Sequence, residues 1–230
     1  MFATPKAFIF DCDGTLIDSM GAWIKASSRL LSEYGVEATP EDLAQFEHLA
    51  IEDECAAYHE HWGVGANAAE VVNRLLEIIR ESYVTCVPTR EGVRSFLDAV
   101  RDVGIPMAIA TSTDKDSVEI ALKAHGLLEY FSNITTTKDS GTSKRRPDVY
   151  NLALARLAEQ HGLGEVVHED VWVFEDAFFG LKSTGEVGYR RVGIFDPNGH
   201  QDEAKVRANC EIFIEDYRAG LLDEILNFEA

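Results

Sequence analysis

The chain has 230 residues, 46% of them hydrophobic and 27% charged, and its formal net charge is −19 at pH 7. This composition is ordinary for a globular protein with one full-sized domain and a smaller one. The negative charge argues against binding to nucleic acids or anionic membranes, because such binding needs a basic face. The four cysteines are scattered, and the sequence shows neither a signal-like start nor a long apolar stretch. We therefore expect reduced thiols, a cytoplasmic location and no membrane span.

Residues 8–18, FIFDCDGTLID, combine an apolar run with closely spaced acidic residues. The unbroken apolar residues 7–10 predict a strand covered on both faces in the middle of a parallel sheet. Asp11 and Asp13 follow this strand and project to the same side if the chain stays extended that far. Gly14 then permits a sharp bend out of the sheet.

Two neighbouring carboxylates are hard to keep charged together. At about 4 Å and an effective dielectric of about 20, their repulsion is roughly 4 kcal/mol. A hard divalent cation such as Mg2+, or a proton held by one of the two, would relieve it. The alternative interpretation is a solvated Asp-Gly turn that has no chemical role.

The region of residues 19–88 has a helical pattern. Apolar residues recur at helical spacing over residues 23–34, and Thr39-Pro40 followed by two acidic residues is typical of a helix start. Pro88 interrupts the pattern, since proline cannot continue a helix. We therefore predict an inserted all-α domain over residues 19–88. Its further helices are expected at residues 41–49, 52–61 and 66–86.

From residue 91 onward, helical and strand patterns alternate. This alternation predicts an α/β fold with a Rossmann-like parallel sheet and helices on both faces, formed by residues 1–18 and 89–230. Ligands of such sheets collect at the carboxyl ends of the strands. The predicted helices are 91–102, 115–125, 147–160 and 178–186, and the predicted strands are 105–110, 134–136, 171–174 and 192–195.

Polar side chains suited to phosphate and metal chemistry follow three of these strands. The hydroxyls of Thr111 and Ser112 could bind phosphate oxygens, and Lys144 could neutralise both a bound phosphate and the first aspartate. Glu175 and Asp176 could complete an oxygen cage for Mg2+. Each group also has an ordinary explanation. The hydroxyl residues could belong to a helix cap, the lysine to an exposed basic surface, and the acidic pair to a solvated turn.

Taken together and in this order, the sequences DCDGT, TS after MAIA, the lysine of KRRPDVY, and VFEDAFFG resemble the four motifs of the haloacid dehalogenase superfamily. The helical insert resembles the cap of the branch that contains beta-phosphoglucomutase and phosphoglycolate phosphatase. The resemblance implies a Mg2+-dependent phosphatase that hydrolyses a small phosphorylated metabolite through an aspartyl-phosphate intermediate. It implies that Asp11 is the nucleophile and that Asp13 is the general acid and base. Phosphate would be bound by Thr111, Ser112 and Lys144. The metal site that the resemblance implies consists of Asp11, the carbonyl of Asp13, Asp176 and Glu175.

The sequence departs from the family pattern at two places. The third motif commonly reads Lys-Pro-x-Pro-Asp, whereas Arg145 and Arg146 separate Lys144 from Pro147 here. The fourth motif often has a serine after the acidic pair, and Ala177 takes that position.

Other activities on this fold make different demands on the sequence. A 2-haloacid dehalogenase lacks the second aspartate, so Asp13 argues against it. A phosphonoacetaldehyde hydrolase forms an imine on a cap lysine, and Lys25 is the only lysine in the predicted cap. A protein that binds without catalysis is a further alternative, because a fold does not by itself determine function.

The main alternative is a sugar-phosphate mutase similar to beta-phosphoglucomutase. Such an enzyme needs basic groups to hold a second phosphate. Here the corresponding cap stretch, residues 48–54, reads HLAIEDE, and Asp114 takes the place of a lysine. Trp23 stands where the mutase has a histidine. Because acidic groups repel a second phosphate, the sequence favours a phosphatase for a monophosphate with a neutral or cationic leaving group.

Overall fold

The computed structural model describes residues 5–46, 49, 51–199 and 201–228. The chain divides into two compact units. The larger unit consists of Met1–Asp18 and Pro88–Ala230, and the smaller one of Ser19–Val87. Among the described residues, no helix combines the length and the apolar character needed to cross a membrane.

Within the described residues, the larger unit contains a six-stranded sheet in which all neighbouring strands run parallel. The strand order is β3-β2-β1-β4-β5-β6, so β1 is central and lies between β2 and β4. The predicted α/β fold class with a Rossmann-like parallel sheet is confirmed. The strands are β1 (Ala7–Phe10), β2 (Met107–Thr111), β3 (Ile134–Thr136), β4 (Val171–Glu175), β5 (Arg190–Ile194) and β6 (Ile212–Ile214).

Helices account for most of the other regular structure. In the described part of the chain they are α1 (Met20–Glu33), α2 (Pro40–Ala44), α3 (Ile51–Trp62), α4 (Ala68–Thr85), α5 (Val93–Asp102), α6 (Lys115–Ala124), α7 (Thr137–Ser140), α8 (Asp148–His161), α9 (Phe178–Gly185), α10 (Glu203–Ala208) and α11 (Leu221–Leu226).

The central strand explains why its sequence has no polar residue. All four residues of β1 are fully buried, because the sheet is covered on both faces. Alternation sends Phe8 and Phe10 to one face, where Phe10 stacks on Phe174 with ring centroids 4.2 Å apart. Ala7 and Ile9 belong to the core of the opposite face, which includes the apolar side of α8.

The smaller unit is built from α1–α4, and α4 packs against both α1 and α3. Leu30 and Leu31 of α1 and Leu75 of α4 are fully buried in its core. Helix α2 begins with a capping box in which the Thr39 amide donates to Asp42 and the Asp42 amide donates to Thr39 Oγ1.

The predicted element boundaries are mostly within two residues of those observed. The helix predicted at residues 41–49 is the exception, since α2 ends at Ala44. Residues 47, 48 and 50, which include part of the acidic stretch 48–54, lie outside the described residues. The sequence analysis did not predict α7, α10, α11 or β6, which are three to six residues long.

Candidate active site

Two adjacent parallel strands bring the acidic motifs together. Asp11 follows β1 directly, and Glu175 is the last residue of β4. Phe10 and Phe174 are paired in register, and the Asp11 amide donates to the Phe174 carbonyl at 2.9 Å. This register places Asp11 beside Glu175 and Asp176 at the carboxyl edge of the sheet.

The Lys144 ammonium connects two of these carboxylates. Lys144 lies in the loop before α8 and is 3% exposed. Its Nζ is 2.7 Å from Asp11 Oδ1 and 2.8 Å from Glu175 Oε2. The Lys144 carbonyl accepts a hydrogen bond from Ser183 Oγ at 2.7 Å, which anchors the loop to α9. Ion pairing to two buried acids keeps the pKa of Lys144 above its ordinary value despite burial, so the side chain is a cation.

Glu175 is fully buried and receives hydrogen bonds from three groups. Lys144 Nζ and Tyr150 Oη both donate to Oε2, the latter at 2.9 Å. The Ala177 amide donates to Oε1 at 3.2 Å. The residue that follows the acidic pair therefore supports this carboxylate through its backbone, which does not depend on the serine side chain that Ala177 lacks.

Asp11, Glu175 and Asp176 form a cluster in which one carboxylate oxygen of each residue lies within 4.8 Å of the others. Burial, and secondly the charge of Glu175, raise the pKa of Asp11 from 3.8 to about 7, although Lys144 opposes the rise. The same two causes raise the pKa of Asp176. The cluster has more negative charge than one lysine neutralises, and its donors are all oxygens, so these residues fit a hard divalent cation.

Asp13 is placed by a turn. The strand ends at Phe10, and the Cys12 carbonyl accepts hydrogen bonds from the amides of Thr15 and Leu16. The regular strand therefore does not extend to Asp13, which was the condition for expecting Asp11 and Asp13 on the same side. Within the described residues, the carboxylate cluster does not include Asp13. Its Oδ2 instead accepts a hydrogen bond of 2.8 Å from Thr113 Oγ1.

Thr113 was not singled out from the sequence, although it is the third hydroxyl residue of the segment TST. Its amide donates to Thr111 Oγ1 at 3.1 Å, so the buried Thr111 side chain orients the turn. Ser112 is exposed at the same carboxyl edge. Asp114 is the N-cap of α6 and accepts a hydrogen bond from the Ser117 amide, which agrees with the helix-cap interpretation of this segment.

The sequence model of the haloacid dehalogenase-like hydrolases matches residues 8–194. The chain belongs to this family. The match spans the four sequence motifs and both structural units. The expectation drawn from the resemblance is thus confirmed at the level of the family.

Relatives of this hydrolase support the same assignment. A phosphorylated carbohydrates phosphatase of Thermotoga maritima is 26% identical over 187 residues, covering 81% of this chain and 83% of that protein. The validoxylamine A 7'-phosphate phosphatase of Streptomyces hygroscopicus subsp. limoneus is 25% identical over 211 residues, covering 92% and 93%. The chain is thus a phosphoric monoester hydrolase of the haloacid dehalogenase type.

A solved structure shares the fold of the hydrolase. The crystal structure of CbbY from Rhodobacter sphaeroides in complex with phosphate superimposes with a TM-score of 0.78 at 21% sequence identity. The superposition covers 95% of this chain and 97% of that one.

The hydrolase also contains a buried arginine, Arg90, that the sequence analysis did not identify. Arg90 Nε donates to the Gly14 carbonyl at 2.8 Å. Its Nη2 lies 3.0 Å from Asp196 Oδ2, at ion-pair distance but without hydrogen-bond geometry. Asp196 also contributes to the raised pKa of Asp176, which places it near the carboxylate cluster.

The two arginines after Lys144 have different surroundings. Arg145 is exposed, and its guanidinium lies 5.3 Å from the centroid of the Phe179 ring. Arg146 is also exposed and donates to the Asp148 carboxylate at 2.9 Å. In this loop, Lys144 alone is buried against the acidic cluster.

Proposed function

We propose that the protein is a Mg2+-dependent phosphatase that hydrolyses a small phosphorylated metabolite through an aspartyl-phosphate intermediate. The observation that carries the proposal is the contact of the Lys144 ammonium with Asp11 and Glu175 inside a buried cluster of three carboxylates. A nucleophile, a fixed cation and oxygen ligands for a metal are what phosphoryl transfer requires. Their place at the carboxyl edge of a parallel sheet is where substrates of such folds bind.

In the first step, a carboxylate oxygen of Asp11 attacks phosphorus and the bond from phosphorus to the leaving oxygen breaks. Asp13, in its acid form, donates its proton to that leaving oxygen. Asp11 must be ionised to attack, and Lys144 stabilises the ionised form from 2.7 Å. The products are the dephosphorylated alcohol and an acyl phosphate on Asp11.

In the second step, Asp13 acts as a base. Its carboxylate accepts a proton from a water molecule as the water oxygen attacks phosphorus, and the bond between phosphorus and the Asp11 oxygen breaks. Inorganic phosphate leaves, and both aspartates return to their starting protonation states. The hydrogen bond from Thr113 fixes one oxygen of Asp13, which supports a defined direction for both proton transfers.

Asp11, Asp176 and the Asp13 carbonyl would hold Mg2+, with Glu175 supporting or sharing this site. When bound, the ion would offset negative charge on the phosphoryl group in the transition state. The raised pKa values of Asp11 and Asp176 support this assignment, because buried carboxylates without sufficient cationic partners retain protons.

Three side chains are proposed to bind the phosphoryl oxygens. Two of the three Lys144 ammonium protons have acceptors, on Asp11 and Glu175, and the third would be donated in a hydrogen bond to a phosphoryl oxygen. Ser112, with its exposed hydroxyl, and Thr111, which orients the turn, would contribute from the end of β2. These neutral donors bind phosphate without altering the charge of the site.

Residues 19–88 are proposed to be a cap domain, as the resemblance of the helical insert implies. The acidic residues Glu52 and Asp53 are exposed on α3. Asp114 adds negative charge at the start of α6, so a second phosphate would be repelled. We therefore infer a monophosphate with a neutral or cationic leaving group, hydrolysed in the cytoplasm. The sugar-phosphate and related substrates in the names of the relatives suggest where to begin a screen.

The test is a phosphate-release assay with p-nitrophenyl phosphate and a panel of phosphorylated metabolites, with and without Mg2+. Hydrolysis that needs Mg2+ and disappears in Asp11→Asn is the expected result. Efficient interconversion of sugar phosphates without phosphate release would instead identify a mutase. Binding of metabolites without turnover of any compound would identify a non-catalytic protein.

A further inference from the structure

We propose that Tyr150 is a positioning residue that holds Glu175 as the partner of Lys144 and thereby places the Lys144 ammonium against Asp11. The inference rests on the proposed phosphatase function and assigns a role to a residue outside the predicted site. Tyr150 would not touch the substrate. It would act through Glu175 and Lys144.

The contacts form a continuous chain. Tyr150 is fully buried, and its Oη donates to Glu175 Oε2 at 2.9 Å. Lys144 Nζ donates to the same oxygen at 2.8 Å and reaches Asp11 Oδ1 at 2.7 Å. The Lys144 ammonium also lies 5.7 Å from the centroid of the Tyr150 ring. One tyrosine therefore contacts both the lysine and the carboxylate that orients it.

The hydrogen bonds restrict how the Glu175 carboxylate can rotate. The Ala177 amide holds Oε1, and Tyr150 with Lys144 holds Oε2. Without the hydroxyl, Oε2 would keep a single donor, itself at the end of a flexible four-carbon chain. Glu175 and Lys144 could then move together, and the ammonium would lose its fixed distance from Asp11.

The fold reserves space for this contact. Gly180 lies in α9, and a methyl group in place of its hydrogen would come within 2.5 Å of Tyr150 Oη and 3.0 Å of Glu175 Cδ. The helix is already formed at this position, so the glycine is not required by backbone conformation. Its role is to leave room for the Tyr150 hydroxyl, which donates its hydrogen bond to the Glu175 carboxylate.

Tyr189 offers a matched control. It is buried in the same hydrophobic core, and its Oη donates to Asn151 Oδ1 at 2.8 Å. Tyr189→Phe therefore removes one buried hydroxyl and one hydrogen bond, and the partner in that bond is Asn151, not Lys144 or Glu175. A loss of activity or of phosphate binding that occurs only in Tyr150→Phe is then due to the missing hydrogen bond to Glu175.

The experiment compares Tyr150→Phe with Tyr189→Phe in folded, Mg2+-loaded protein, by kcat, KM for p-nitrophenyl phosphate and binding of inorganic phosphate. For Tyr150→Phe we expect kcat/KM to fall and phosphate binding to weaken by roughly tenfold, and for Tyr189→Phe a change below about twofold. Gly180→Ala should reduce kcat/KM in the wild-type background and have less effect in Tyr150→Phe. Equal kinetics and phosphate binding in the two phenylalanine variants would overturn the inference.

A crystal structure of Tyr150→Phe separates this inference from the proposed function. If the wild type hydrolyses no phosphate ester, the proposed function fails, and the position of Lys144 still decides the role of Tyr150. A shift of the ammonium away from Asp11 by more than about 0.5 Å would support positioning. An unchanged Lys144 and Glu175 would refute it.

Discussion

Arg90 and Asp196 form a buried ion pair in the larger unit, with Nη2 and Oδ2 3.0 Å apart and side chains 6% and 0% exposed. Arg90 also donates from Nε to the Gly14 carbonyl and from Nη1 to the Glu215 carbonyl. A single guanidinium thus connects the turn after β1 to segments after β5 and β6. The turn that carries Asp13 depends on a residue 76 positions away in the sequence.

Replacing Arg90 by methionine leaves Asp196 buried without its cation. We expect a loss of about 3–5 kcal/mol in the free energy of unfolding, measured by urea denaturation. The control is Arg101→Met, since Arg101 and Asp98 are exposed at a separation of 2.6 Å and such pairs contribute less than about 1 kcal/mol. The double variant Arg90→Met/Asp196→Asn should recover part of the loss. Equal losses in Arg90→Met and Arg101→Met would contradict the prediction.

The raised pKa of Asp11 predicts how stability changes with pH in metal-free protein. Because the folded-state pKa, about 7, exceeds the ordinary value of 3.8, the folded chain retains a proton that the unfolded chain releases. The contribution of this proton to the stability of the folded protein is fully present below pH 3.8 and is lost as the pH rises to about 7. Denaturation in EDTA should show the wild type becoming less stable relative to Asp11→Asn as the pH rises through this range, because asparagine does not titrate. A constant difference would show that Asp11 ionises normally.

The same protons compete with a metal. Mg2+ binding to a partly protonated cluster must displace protons, so we expect apparent affinity to rise between about pH 5 and 7 and protons to be released on binding. Calorimetry in buffers of different ionisation enthalpy measures the release directly. Asp11→Asn should weaken binding, whereas Asp216→Asn, at an exposed position, should leave it unchanged. Binding that is independent of pH would argue against a site built on these carboxylates.

Asp11→Asn tests the nucleophile itself. Because an amide cannot form the proposed acyl phosphate, Mg2+-dependent hydrolysis should fall below about 1% of the wild-type rate. The measurement is steady-state release of inorganic phosphate, with circular dichroism to verify the fold. Asp216→Asn again serves as the control and should retain full activity. Residual turnover of Asp11→Asn above about 1% would exclude Asp11 as the sole nucleophile.

Thr113→Val removes the hydrogen bond to Asp13 and keeps the size and β-branching of the side chain. If Thr113 directs the proton transfers of Asp13, kcat should fall by roughly tenfold while KM changes little. Ser112→Ala is the comparison, because Ser112 is proposed to bind phosphate and its loss should raise KM. The two variants thus separate acid-base orientation from phosphate binding. A change in KM alone for Thr113→Val would contradict the proposed role.

The sequence by itself determined the central strand and the edge of the sheet where polar groups gather. An unbroken apolar run that ends directly in acidic residues favours a strand buried on both faces, and helix-strand alternation predicts a parallel sheet. In a parallel sheet the carboxyl ends lie at the same edge, so the sequence predicted that Asp11, directly after β1, would lie near Glu175 and Asp176 at the end of β4. Lys144 was identified in the same way, from its loop after β3.

Only the tertiary structure decided which groups support these residues. Tyr150 donates a hydrogen bond to Glu175, and Thr113 donates one to Asp13. Arg90 pairs with Asp196, which is 106 positions away in the sequence. Hydroxyl and guanidinium groups are common on protein surfaces, and no local pattern marks the few that are buried. Their partners depend on strand register, helix packing and the space left by Gly180, which arise only when distant segments fold against one another.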